Sequence, residues 1–173
     1  MIIGVMSDSH DNMENVVKAF NFFRERGVNT IIHLGDIISP FIVRRMIKES
    51  WNDLVVYAVY GNNDGDKILL QKLFRERNWV ISEGPCFIEI DGVKILAMHG
   101  FGSIEFTKNI VYAIAEKIDA NIVLYGHTHR KDYKKLSNDK IVLNPGEVYG
   151  FLSGEATIAI VDTKTLEAEF IKI

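Results

Sequence analysis

One cysteine, Cys86, is all the thiol the chain possesses. An internal disulfide is therefore impossible, and a metal held here must be held through imidazole and oxygen. No run approaches the ~18 apolar residues of a membrane span. The apolar residues 2–6 meet Asp8, His10 and Asp11 too soon to serve as the core of a signal peptide. A basic excess is missing too: 20 Lys and Arg stand against 23 Asp and Glu, for a net charge of −3. That balance argues against a surface that coats nucleic acid but leaves room for a local anion pocket. Linkers rich in Pro, Gly or Ser, low-complexity tracts and internal repeats are also lacking. The expectation is a single cytoplasmic domain over 1–173, long enough to bury roughly 68–70% of its unfolded surface without a covalent staple.

What is present is an alternation of short apolar runs with amphipathic segments. Residues 2–6, 30–34, 54–60 and 121–125 read as buried strands. Asp11, with Glu14 three residues on, gives a helix-start signature. The helix it predicts lines up Met13, Val16, Val17, Phe20 and Phe23 before Gly27 stops it. Ser39-Pro40 opens a second helix with Ile42, Val43, Met46 and Ile47 inward. Asp66 caps a third that carries Leu69, Leu70, Leu73 and Phe74. Asp91-Gly92, between 86–90 and 93–98, predicts a hairpin in which Cys86 is a small core residue. Ser103 caps a helix over 104–117 with Ile110, Ala113 and Ile114 inward. From Lys131 onward only strands are expected, at 131–136, 140–143, 155–161 and 166–172, and the β-rich end after Asn144 offers an edge for pairing of copies as a homo-oligomer. The pattern describes an α/β protein with mixed strand pairing.

Residues of metal-binding type fall at the ends of these strands. Asp8 and His10 follow 2–6, Asp36 follows 30–34, and Asn62 follows 54–60. His99 follows 93–98, and His127 and His129 follow 121–125, so four of the five histidines belong to the set. In α/β sheets, loops at the carboxyl ends of strands converge over ligands. A lone Asp8 or Asp36 would read as a helix cap and a lone Asn62 as a turn residue; together the seven read as ligands. One zinc takes three or four protein ligands, so seven suit two ions sharing a bridging carboxylate. Nitrogen and oxygen donors without thiolate suit Mn, Fe, Co, Ni or Zn better than Ca.

The series Asp8-x-His10, Gly35-Asp36, Gly61-Asn62-Asn63-Asp64, His99-Gly100 and Gly126-His127-Thr128-His129 resembles the calcineurin-like metallophosphoesterases. The short chain and its Asn144-Pro145-Gly146 run resemble the small bacterial and archaeal phosphodiesterase branch. The resemblance implies two mixed sheets packed as a sandwich with helices on the outer faces. It implies that Asp8, His10 and His129 hold a first divalent metal, that Asn62, His99 and His127 hold a second, and that Asp36 bridges both. It further implies hydrolysis of a small phosphate ester, a phosphodiester first of all, through a hydroxide bridging the metals, with Asn62, Asn63 and His99 acting on the substrate. A phosphomonoesterase, a cyclic-nucleotide phosphodiesterase and a non-catalytic scaffold like the retromer subunit of this fold stay open as alternatives. Asn63 departs from the family, which carries a histidine there to protonate the leaving oxygen. An asparagine cannot do so, and aryl esters then react more readily than alkyl ones.

The remaining polar residues have plainer readings. Asp64 and Asn12 are either supports for ligands or turn residues. Asp11 reads as a helix cap, His33 as a hydrogen-bonded strand residue, and Arg130 and Lys131 as solvated charges. Gly100-Phe101-Gly102 echoes a dinucleotide fingerprint but lacks its third glycine; a helix start there still favours an anion.

Overall fold

In the computed structural model, which describes residues 1–137 and 140–173, the apolar runs become eleven strands and the amphipathic segments four helices. In chain order these are β1 (Ile2–Met6), α1 (Met13–Glu25), β2 (Thr30–His33), α2 (Pro40–Glu49), β3 (Val55–Val59), α3 (Lys67–Glu76) and β4 (Val80–Ser82). The hairpin β5 (Cys86–Ile90) and β6 (Val93–Met98) follows, then α4 (Ile104–Lys117) and β7 (Ile122–Tyr125). The chain ends with β8 (Lys131–Lys135), β9 (Ile141–Pro145), β10 (Thr157–Asp162) and β11 (Glu167–Lys172). The first sheet has the order β11-β10-β1-β2-β3-β4 and the second β5-β6-β7-β9-β8. In the first, β1 to β4 run parallel, β10 runs antiparallel to β1, and β11 runs antiparallel to β10. In the second, β6, β7 and β9 run parallel, with antiparallel β5 and β8 at the edges.

Two-sided burial explains why the central strands are near-continuous apolar runs. Ile3, Val5 and Ile32 of the first sheet face Ile95, Ala97, Ile122, Leu124 and Leu143 of the second. The opposite face of the first sheet packs Met6, Ile31 and Val56 against Phe20 and Phe23 of α1, Ile42 and Met46 of α2, and Leu70 and Phe74 of α3. Beneath the second sheet, Leu96, Val123 and Val142 pack on Val111 and Ala115 of α4. The result is an α/β/β/α sandwich. Each fully buried side chain of this size stabilises the fold by roughly 1.5–3 kcal/mol. A one-residue slip of β1 would move Ile3 and Val5 to the wrong face, so register is strongly held.

Four local expectations need correction. The cap of α1 is Asn12, whose side chain accepts from Asn15 N at 3.1 Å. Asp11 instead accepts from Ser39 N and Oγ, 3.1 and 2.7 Å away. The buried face of α4 is Thr107, Val111 and Ala115; Ala113 is exposed and Ile110 and Ile114 only flank that face, because the sheet meets the helix one residue round from the apolar stripe. Cys86 is half-buried, because it lies on the edge strand β5. The short strand β4 was not foreseen, since three residues are too few for periodicity to register. Asp66 and Ser103 do cap their helices, accepting from Leu69 N and Phe106 N.

Candidate metal centre

Five parallel strands, β1, β2 and β3 of one sheet and β6 and β7 of the other, end at the same end of the sandwich. Their loops are sewn together by backbone hydrogen bonds: Asp8 N to Gly35 O and His10 N to Asp36 O, both 3.0 Å, and Gly126 N to His99 O, 2.8 Å. Asp8, His10, Asp36, His127 and His129 all hold positive φ between 41° and 67°. Such backbone is strained for residues with a Cβ and persists where surrounding contacts over-determine it. Gly61 is obligatory for a different reason: a Cβ there would overlap Asp36 Oδ1 and Asp36 N.

All seven predicted ligands are brought together. His10 Nε2 lies 3.4 Å from Asp36 Oδ2 and 4.0 Å from Asp8 Oδ1, and His129 Nε2 lies 3.6 Å from Asp8 Oδ1. His99 Nε2 lies 3.5 Å from Asp36 Oδ2 and 3.0 Å from Asn62 Oδ1, and His127 Nδ1 lies 3.3 Å from His99 Nε2. Asp36 Oδ2 is thus shared by the two groups. Donor atoms about 2.1 Å from one ion in tetrahedral array stand roughly 3.4 Å apart, which is the spacing found.

Two further observations test whether a cation suits these residues. Asp8 Oδ1 and His10 Nε2 are buried without any hydrogen-bond partner, a cost of about 1–3 kcal/mol each that a cation between them removes. Three histidines, moreover, have their outer nitrogen engaged by an acceptor. His99 Nδ1 donates to Leu34 O at 2.7 Å, His127 Nε2 to Gly102 O at 2.6 Å, and His129 Nδ1 to Glu147 Oε2 at 2.7 Å. These bonds fix the tautomers and turn the lone pairs of His99 Nε2, His127 Nδ1 and His129 Nε2 toward the cluster. Lone pairs facing each other at 3.3 Å need a proton or a metal ion between them. The residues fit a divalent metal.

The electrostatics follow from burial and from these neighbours. Burial opposes ionisation of Asp36, yet His99 and Asn63 outweigh it and hold the carboxyl below its ordinary range. Burial pushes Asp8 up, only partly offset by His99, His129 and Ser7; a cation at Oδ1 acts in the opposite sense. Burial lowers His99 and His129, but Asp36 and Asp8 for the first and Glu147 and Asp8 for the second raise them on balance. His33 is wholly buried, which brings its pKa down to about 3. Its Nδ1 accepts from Gly35 N, so Nε2 carries the proton toward Ser9 Oγ at 3.2 Å.

The supporting residues are not all those expected. Asn63 donates from N and Nδ2 to the two oxygens of Asp36, at 2.9 and 2.7 Å. Asp64 makes no hydrogen bond to a candidate ligand side chain but accepts from Ile38 N and Gly61 N, both at 2.7 Å, tying the β2 and β3 loops. Asn12 also misses the ligands: beyond capping α1 it donates to Tyr149 O, because the turn at 148–149 lies between it and Asp8. Arg130 is exposed, Lys131 pairs with Glu155, and Phe101 N, in the glycine-bounded turn, is already taken by Thr107 Oγ1. Sequence reasoning passed over Glu147, a fully buried carboxylate on His129 that also accepts from Ser153 N and Oγ. It also passed over Asn144, which donates to Gly126 O and Thr128 Oγ1 and so braces the His127–His129 loop. Asn144-Pro145-Gly146 was the only signal beside them. A surface cleft of about 500 Å³ lies at the opposite end of β6 beside Lys94 and Asp119 and contains no histidine.

Two mixed sheets face to face, with carboxylates and imidazoles gathered at the ends of their parallel strands, define an α/β sandwich with a candidate metal site. The family profile of the calcineurin-like phosphoesterase superfamily domain matches residues 1–166. The chain belongs to that superfamily. It is 36% identical over 168 residues to a phosphodiesterase of Methanocaldococcus jannaschii, covering 96% of each chain. The solved structure of an archaeal phosphodiesterase superposes with a TM-score of 0.86 at 34% identity, covering 100% of both chains. Chaetomium thermophilum Vps29, at 15% identity and a TM-score of 0.69, covers 100% of this chain and 97% of its own and shares the fold.

Proposed function

We propose that the chain is a metal-dependent phosphodiesterase with two divalent ions at this cluster. The observation that carries the reading is Asp36 Oδ2, within 3.4–3.5 Å of His10 Nε2 on one side and His99 Nε2 on the other. Asp8, His10 and His129 would hold one ion and Asn62, His99 and His127 the other, with Asp36 available to both. The donor set suits Mn, Ni, Fe, Co or Zn. When bound, such a pair supplies a lowered pKa for water and neutralises charge at phosphorus. The protein's own part is orientation: Leu34 O, Gly102 O and Glu147 fix the three imidazoles, and Asn63 holds Asp36. Since Asn63 spends its amide on Asp36 and has no acidic proton, weakly basic leaving groups are favoured. A cytoplasmic location belongs to the same reading, supported by the single cysteine.

The test is hydrolysis of bis-p-nitrophenyl phosphate by chelator-stripped protein with manganese or nickel restored. Activity is expected to return with the metal and to exceed that on the corresponding monoester. Silence with every divalent ion overturns the proposal.

A further inference from the structure

Two clefts flank the metal cluster, separated by the turn that follows Val148. The first, about 420 Å³, is lined by His10, Ile38, Asn63 and Tyr149. The second, about 310 Å³, includes His129, Arg130, Leu152 and Ser153. Each reaches a candidate ligand, so a diester held at the cluster would have a cleft on either side for its two arms. Along the first, aromatic rings follow in series. The His10 ring centroid is 5.2 Å from that of His129 and 5.3 Å from that of Tyr149, and Tyr149 is 5.8 Å from Phe151.

Phe151 is 77% exposed. A single exposed apolar residue is ordinary, but this ring extends a wall that begins at a metal ligand. The turn bearing it is held: Asn12 and Asn15 donate to the carbonyls of Tyr149 and Val148, and Ser153 donates to Glu147. Ile38 supplies an apolar side to the same cleft, while the Asn63 amide is already engaged by Asp36. The cleft therefore offers the flat face of Tyr149 and the apolar Ile38 beside the imidazole of His10. Opposite, Arg130 has no ion-pair partner among the described residues and suits a polar or anionic arm.

Resting on the phosphodiesterase reading, we propose that Tyr149 and Phe151 form a subsite for a planar aromatic ring on one arm of the diester. Calorimetric titration of manganese-loaded protein with diphenyl phosphate and with dimethyl phosphate tests it. Ring contact is expected to favour the diphenyl ester roughly three- to tenfold beyond its burial alone. Phe151→Ser lowers that preference, Tyr149→Leu abolishes it, Phe151→Trp keeps it, and dimethyl phosphate binds all four proteins alike. Because Tyr149 packs on His10, the manganese content of each variant is measured alongside, and Phe151→Ser carries the test where Tyr149→Leu loses metal. Ring preference without hydrolysis of any diester sinks the phosphodiesterase reading and leaves the subsite standing. Hydrolysis with a preference untouched by Phe151→Ser overturns the subsite. A dimer lost in Phe151→Ser while the preference persists assigns the ring to contact between copies and overturns it as well.

Discussion

Glu147 acts on the cluster from outside the candidate ligands, through its hydrogen bond to His129. It is fully buried, yet His129 and two donors from Ser153 hold it below the ordinary glutamate range despite burial. Its hydrogen bond sets which His129 nitrogen faces the cluster. Partners of this kind typically change metal affinity 10–100-fold when removed. Glu147→Gln keeps the shape and loses the charge, so manganese affinity at the Asp8, His10 and His129 group is expected to fall by about that factor. The group around His99 keeps its affinity, since Leu34 O and Gly102 O orient its imidazoles. Titration calorimetry resolving two classes of site checks this. Equal weakening of both would show that Glu147 acts through general stability.

At the scale of elements, two glycines mark the difference between a turn and a close approach. Asp91 and Gly92 of the β5–β6 hairpin both have positive φ, 51° and 78°, as a tight two-residue turn requires. A Cβ at Gly92 meets nothing within 4 Å. Gly92→Ala should therefore cost about 1–2 kcal/mol of conformational strain and leave hydrolysis intact. Gly61→Ala should lose activity as well as stability, through displacement of Asp36 and the β3 loop. Denaturant unfolding and turnover measured on both variants check the pair. Hairpin, caps and strands were legible because local chemistry produces them: Asp66, Ser103 and Asp91-Gly92 act where the sequence places them. The inward face of α4 was not, because the angle at which a sheet meets a helix is set by packing and not by the helix's own stripe.

For the whole molecule, the cluster lies across the seam between the sheets. Asp8, His10, Asp36 and Asn62 come from the first, His99, His127 and His129 from the second. A metal ion bound there ties the two together, and at 100 times its Kd it adds about 2.7 kcal/mol to stability. Chelation is expected to lower Tm, manganese to restore it, and Asp36→Ala to erase most of the metal's effect; differential scanning calorimetry reads all three. An Asp36→Ala protein whose Tm still rises in full would show that the ion binds elsewhere. The sequence by itself determined which residues end each strand and that seven metal-binding types recur there, since strand ends and donor chemistry are local properties. Only the tertiary structure decided that Glu147 rather than Asn12 bonds His129, that Asp11 bonds Ser39, and that the rings of His10, Tyr149 and Phe151 stand in series. Those contacts join segments up to 137 residues apart, and their pairing depends on how two sheets stack, which no local pattern encodes.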